Sequence, residues 1–168
     1  MNTTPVRIAV IGAGVIGNVH ARALTDLDTV DLVAIADLDE AKAAALAAKY
    51  GVTESTSDVE ALLQRGDIDA VTICTPSGIH ADLAVAALNA GKHVVVEKPI
   101  DVSLQAADRV IAAEKASGKV VTVITQHRFD KSTEKVTQAV KDGTLGRITS
   151  AIASHAWWRG QTYYDSGD

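Results

Sequence analysis

The sequence predicts an α/β chain: a doubly wound parallel sheet with helices on both faces, followed by the truncated start of an α+β unit. Three observations predict it. Apolar runs rich in valine and isoleucine recur without polar alternation, as in strands covered on both faces. Alanine-rich, helix-favouring stretches separate them. Glycines stand where helices should end and small polar residues where the next should open.

The strand-like runs are Val6 to Ile11, Leu32 to Ala36, Ala70 to Cys74, His93 to Val96 and Val120 to Ile124. The helical stretches between them are Ile16 to Leu27, Asp39 to Tyr50, Asp58 to Gln64, Ile79 to Ala90 and Leu104 to Ser117. Gly51, Gly91 and Gly118 close helices, while Asp37, Ser57 and Ser103 are placed to open them. Strands joined by helices of this length lie parallel through right-handed crossovers, which builds the doubly wound sheet. After Ile124 the rhythm changes. Gln126 to Phe129 reads as a polar turn, a helix follows to about Asp142, Arg147 to Trp158 reads as a strand, and Gln161 to Asp168 is polar. The expected division is therefore a first domain over 1–124 and the start of a second over 125–168. A lone strand carrying Trp157 and Trp158 implies partner strands outside the chain.

The 168 residues suffice for one well-buried domain. With 47% hydrophobic and 22% charged residues, the composition is that of a globular protein. Sixteen basic against 21 acidic residues give a net charge of −5, which leaves no basic surplus for a nucleic-acid backbone. The single cysteine, Cys74, excludes an intrachain disulfide and a multi-cysteine metal site, and suits a reducing compartment such as the cytoplasm. Met1 to Pro5 lacks the pattern of a signal peptide, and no apolar stretch reaches the roughly 18 residues of a membrane span.

The sharpest motif is Gly12-Ala13-Gly14-Val15-Ile16-Gly17, between the first strand and the first helix. Gly12 permits a tight turn, Gly14 a close backbone approach to a pyrophosphate, and Gly17 close helix–strand packing, as in a Rossmann-type dinucleotide site. The amides and dipole of that helix face the phosphates. Alone, the pattern also describes a ligand-free turn. Asp37, 20 residues beyond Gly17, adds an acid placed to accept the adenosine ribose hydroxyls, or to cap the next helix. Leu38 and Asp39 follow it with no arginine nearby, so a ribose 2′-phosphate meets repulsion, and NAD is expected over NADP.

Two further loops lie at carboxyl ends of strands, where ligands of open α/β sheets bind: Cys74-Thr75-Pro76-Ser77-Gly78-Ile79-His80 and Glu97-Lys98-Pro99. Together with the glycine loop and Gly91-Lys92-His93-Val94, these residues resemble the Gfo/Idh/MocA family of glucose-fructose oxidoreductase and inositol dehydrogenase relatives. The resemblance covers essentially the whole chain.

It implies hydride transfer between a nicotinamide and a hydroxyl-bearing carbon of a sugar, inositol or related polyol. Lys98 matches the family's catalytic lysine, whose pKa burial or cationic neighbours can lower as arginine's cannot be. The bland alternative is an exposed lysine paired with Glu97. Pro99 matches a position that is often cis in the family. Thr75 and Pro76 line the cofactor cleft, Pro76 against the adenosine or ribose part, and Glu97 borders it. His80 either joins them or holds its loop by hydrogen bonding. His20 reads as a helix–sheet packing contact and Cys74 as a buried strand residue. Gln126 and Arg128 touch cofactor or substrate, or else stabilise a hinge. Trp157, Trp158 and Arg159 form a substrate wall, or belong to a core or interface.

The family's second domain supplies an aspartate and a histidine that complete proton transfer and an open sheet that mediates oligomers. Neither residue can be matched before Asp168, so the chain alone is expected to bind dinucleotide weakly and to turn over poorly, and the full-length protein to be a homo-oligomer. Two alternatives stand beside the enzyme: a sensor that keeps the pocket without the chemistry, and a reductase of another Rossmann lineage.

Overall fold

The structure, a computed structural model, describes residues 4–165; the expectations for Met1 to Thr3 and for residues 166–168 lie outside that range. The chain divides into two compact units, Met1–Ile124 and Thr125–Asp168.

In the first unit, six strands form one parallel sheet: β1 (Val6–Ile11), β2 (Val30–Ala36), β3 (Ser55–Thr56), β4 (Ala70–Ile73), β5 (His93–Val96) and β6 (Val121–Val123). Their order is β3-β2-β1-β4-β5-β6, so the winding reverses between β1 and β4. The crevice outside the carboxyl ends of those two strands is the ligand position of this topology.

The helices are α1 (Val15–Thr25), α2 (Glu40–Tyr50), α3 (Val59–Leu63), α4 (His80–Asn89) and α5 (Leu104–Ser117). The two-residue alternation of β1 sends Val10 to one face and Ala9 and Ile11 to the other. On the Val10 face, Ala21 of α1 and Ala43, Leu46 and Ala47 of α2 complete a small core. The larger core gathers β4 and β5 with Leu62, Leu63, Ala84, Leu88 and Val110 from α3, α4 and α5. Alanines at the contacts let the helices approach the sheet closely, which explains the alanine-rich sequence between strands.

The structure differs from the sequence reading at several points. The short edge strand β3 has no apolar run to announce it and exists because Ser55 and Thr56 pair with Ile35 and Ala36. Asp39, not Asp37, caps α2, accepting from the amides of Ala41 and Lys42, because the Asp37 carboxylate is turned elsewhere. Asp58, not Ser57, caps α3 through the Ala61 amide; Ser103 caps α5 as expected. Residues 147–160 form neither strand nor helix. A strand needs a neighbour for its amides and carbonyls, and among the described residues none pairs with this segment.

The second unit holds α6 (Lys131–Lys141) and a short α7 (Gln161–Asp165), where the sequence suggested only a polar stretch. Trp157 and Trp158 are exposed, and the Arg159 guanidinium lies 4.7 Å from the Trp157 ring centre.

Candidate dinucleotide and lysine site

The glycine loop leaves β1 with Gly12 at φ +103°, in the region that favours glycine. A Cβ there would meet the Cys74 carbonyl carbon and oxygen at 2.7 Å, so the loop lies directly against the end of β4. At Gly17 a Cβ would stand 1.8 Å from the Gly12 oxygen, which fixes how closely α1 returns to the strand. Gly14 differs, since among the described residues nothing beyond its chain neighbours lies within 4 Å of its missing Cβ. It caps α1 without a side-chain bond, and the first turn carries no acid. The first helical bond runs from Asn18 N to Gly14 O, so the amides of Val15, Ile16 and Gly17 precede the ladder. Side chains leave that helix end open, and Val15 is 82% exposed.

Asp37 follows β2. Its Oδ2 accepts from the Ala13 amide at 2.7 Å and its Oδ1 from the Asp39 amide at 2.8 Å. The carboxylate thus joins the glycine loop to the strand end while remaining partly accessible.

Beyond β4, Thr75 Oγ1 is buried, with no hydrogen-bond partner among the described residues. Pro76 precedes the 3-10 turn Ser77–Ile79, which leads into α4. His80 is 1% exposed, with Nδ1 2.8 Å from the Pro99 carbonyl and Nε2 2.8 Å from that of Thr75. Of its two readings, this geometry favours the loop clasp, since both ring nitrogens are engaged within the protein. Asp101 adds a second tie between these loops by accepting from the Ala81 amide at 3.0 Å, a bond that holds its carboxyl below the ordinary range.

Lys98 follows β5 with its side chain exposed, and the Lys98–Pro99 peptide is cis, as the resemblance implied. No ion pair engages its ammonium among the described residues, so the pairing with Glu97 does not form. Glu97 turns inward instead. Its Oε1 lies 3.0 Å from His20 Nε2, both side chains being under 15% exposed, and its Oε2 accepts from the Lys98 amide at 3.1 Å. His20 Nδ1 lies 2.8 Å from Thr72 Oγ1, which is 3.8 Å from Cys74 Sγ. Burial pushes the Cys74 thiol up to about 12, with the Thr72 hydrogen bond opposing and the Glu97 charge adding to the rise.

Sequence reasoning missed the His20–Thr72–Glu97 network. Its one signal was Thr72, a polar residue inside an apolar run and on the same strand face as Cys74. Gln126 and Arg128 lie in the turn that opens the second unit, with Gln126 exposed.

The Gfo/Idh/MocA family model, described as an oxidoreductase family with an NAD-binding Rossmann fold, matches residues 6–125. A 4-carboxy-2-hydroxymuconate-6-semialdehyde dehydrogenase of a Sphingobium species is 40% identical over 83% of this chain and 44% of its own length. The myo-inositol 2-dehydrogenase of Thermotoga maritima is 36% identical over 86% of this chain and 45% of its own. Among solved structures, scyllo-inositol dehydrogenase from Lactobacillus casei with bound NAD(H) and scyllo-inositol superposes with a TM-score of 0.81 at 32% identity, over 87% of this chain and 44% of that one. The chain therefore spans under half the length of these relatives.

Proposed function

Because the chain belongs to the Gfo/Idh/MocA oxidoreductases, with their NAD-binding Rossmann fold, we propose that it forms the dinucleotide half of an NAD-dependent dehydrogenase acting on a hydroxyl-bearing carbon of a sugar, inositol or related polyol. One observation carries the reading: the open amino end of α1, the Asp37 carboxylate and the Thr75 loop all border the reversal between β1 and β4.

The residues fit the cofactor. The open space at Gly14 admits a diphosphate to the amides of Val15 to Gly17, where the helix dipole favours negative charge. Asp37 accepts the adenosine ribose hydroxyls, and its charge beside Leu38 and Asp39 disfavours a 2′-phosphate. The unpartnered Thr75 hydroxyl is a buried group that a ligand would satisfy. Pro76 lies in the same loop, with His80 holding that loop from behind. Bound NAD supplies the hydride acceptor. Lys98, whose ammonium no acid of the described residues engages, would orient the substrate by donating to its hydroxyl oxygen, and as the neutral amine would accept the hydroxyl proton while hydride leaves the carbon.

Gln126 is assigned to the cofactor in this reading, and 125–168 to the start of the substrate domain. The working protein is a cytoplasmic homo-oligomer whose remaining proton-relay groups come from that domain. No helix among the described residues is long and apolar enough to cross a membrane. Relatives named for cyclic polyols and for a carboxylated semialdehyde show that the substrate varies within the family; the polyol class follows the inositol dehydrogenases, both in sequence and in structure.

The test is NAD reduction by the full-length protein with myo-inositol, scyllo-inositol and methyl glucosides. Turnover with one of these that disappears in Lys98→Met supports the reading. NADH binding with no turnover on any of them would leave the sensor, and turnover that survives Lys98→Met would remove the catalytic role of the lysine.

A further inference from the structure

Lys98 carries a flexible side chain on an exposed turn, so what fixes its backbone decides where its ammonium can be. The anchor comes from a distant part of the sequence. Glu97 and Lys98 leave β5, and His20 lies on α1, 77 residues before Glu97. His20 Nε2 stands 3.0 Å from one Glu97 oxygen, and the other oxygen accepts from the Lys98 amide at 3.1 Å. A carboxylate only accepts, so His20 Nε2 bears the hydrogen of that link. The Thr72 hydroxyl, 1% exposed and 2.8 Å from His20 Nδ1, fixes the ring from the other side.

This network is a poor choice for stability alone. Three polar side chains stand on the sheet face where Val10, the register partner of Thr72, and Ala21 of α1 are fully buried and apolar. Buried polar groups cost free energy unless every one is satisfied, and an apolar set of the same size would pack without that condition. The arrangement does give one thing an apolar set cannot: a directional bond onto the amide of the residue proposed to move the proton.

We infer that His20 is a positioning residue for Lys98, acting through Glu97. The inference rests on the reading of Lys98 given above and extends it. The helix that presents Gly14 and Gly17 to the diphosphate also carries His20, three residues beyond Gly17, so one rigid element sets both the cofactor's phosphate seat and the lysine. Glu97 then acts from within the protein, and its role at the cofactor is indirect.

Four variants test this: His20→Ala, Glu97→Ala, His20→Gln and Lys98→Met. In the 168-residue chain, hydrogen exchange at the Lys98 amide should accelerate on the order of tenfold in both alanine variants, since the carboxylate acceptor is lost or released. In the full-length protein with NAD and myo-inositol, kcat should fall between about 10- and 100-fold, as for a displaced catalytic group, while the KM for NAD stays within about twofold. His20→Gln keeps an N–H that can reach Glu97 and should recover most of both losses. Unchanged Lys98 exchange in His20→Ala and Glu97→Ala overturns the inference, whatever the turnover. So does a glutamine variant as impaired as the alanine one, which would mark His20 as packing. The proposed role of Lys98 fails by a different result, namely turnover that survives Lys98→Met.

Discussion

The amide of Ala13 donates to the Asp37 carboxylate at 2.7 Å, tying the middle of the glycine loop to the end of β2. The acid that selects the ribose in the proposed site is thus also a structural member of the phosphate loop. Asp37→Ala should therefore do two things in a fluorescence titration of Trp157 and Trp158 or of the nucleotide itself. NADH binding should weaken by roughly tenfold or more, the loss of a charge-assisted bond and of loop order. The preference for NADH over NADPH should shrink at the same time, because the repelling charge is gone. Equal NADH and NADPH affinity already in the unaltered protein would remove the basis for assigning NAD.

The second and third glycines of the loop should separate folding from binding. Gly14→Ala adds a methyl group to open space at a φ of −76°, so thermal unfolding should stay within about 2 °C of the parent. The same methyl group occupies the approach of the diphosphate, and NADH affinity should fall at least tenfold. Gly17→Ala drives a Cβ to 1.8 Å from the Gly12 oxygen, a backbone atom that cannot swing aside. Here the melting temperature itself should drop by roughly 5 °C or more. Calorimetry beside a binding titration distinguishes the two.

Asp69 should make a pH-dependent contribution to stability. Its carboxylate takes two bonds from the Arg7 side chain, at 2.8 and 3.0 Å, and one from the Arg7 amide at 2.9 Å. The Arg7 side chain first, and then that amide, hold the Asp69 carboxyl far below the ordinary value of 3.8. Asp67, bonded by Arg65, is likewise lowered to about 2. A depressed carboxyl stabilises the fold at every pH above its unfolded value and loses that contribution as pH falls through the folded one. Asp69→Asn should thus melt lower than the parent from neutral pH down to about 4, with the gap closing below about pH 3. A gap that persists unchanged at pH 2 would mean that the charge is not the cause.

Cys74 should react slowly. Burial pushes its thiol up to about 12, so little thiolate exists near pH 8. Alkylation by iodoacetamide should be at least tenfold slower in the native chain than in urea. Rapid native labelling would show that the end of β4 opens more readily than its packing against the Gly12 loop implies.

Removing the His80 ring should destabilise the fold by about 2–3 kcal/mol, because His80→Ala removes the ring N–H that donates to one of the two carbonyls, Thr75 or Pro99, and leaves a cavity between two loops. Urea unfolding measures it.

The order of elements through Ile124 was legible in the sequence because it depends on local physics. Val6–Ile11, His93–Val96 and Leu104–Ser117 are bounded in the structure as their apolar runs and caps indicate. The glycine loop was legible for the same reason, since each glycine answers a constraint within a few residues or on the adjoining strand. What only the tertiary structure decided were the relations that join distant segments: the edge pairing that makes Ser55 and Thr56 a strand, the turning of Asp37 toward Ala13, and the meeting of His20 with Glu97. Segment 147–160 shows the converse, an apolar pattern that makes no strand where no described neighbour supplies its hydrogen bonds. Periodicity reports which face of an element is apolar. Hydrogen-bond partners are set by which elements lie side by side, and that is fixed only when the whole sheet closes around its core.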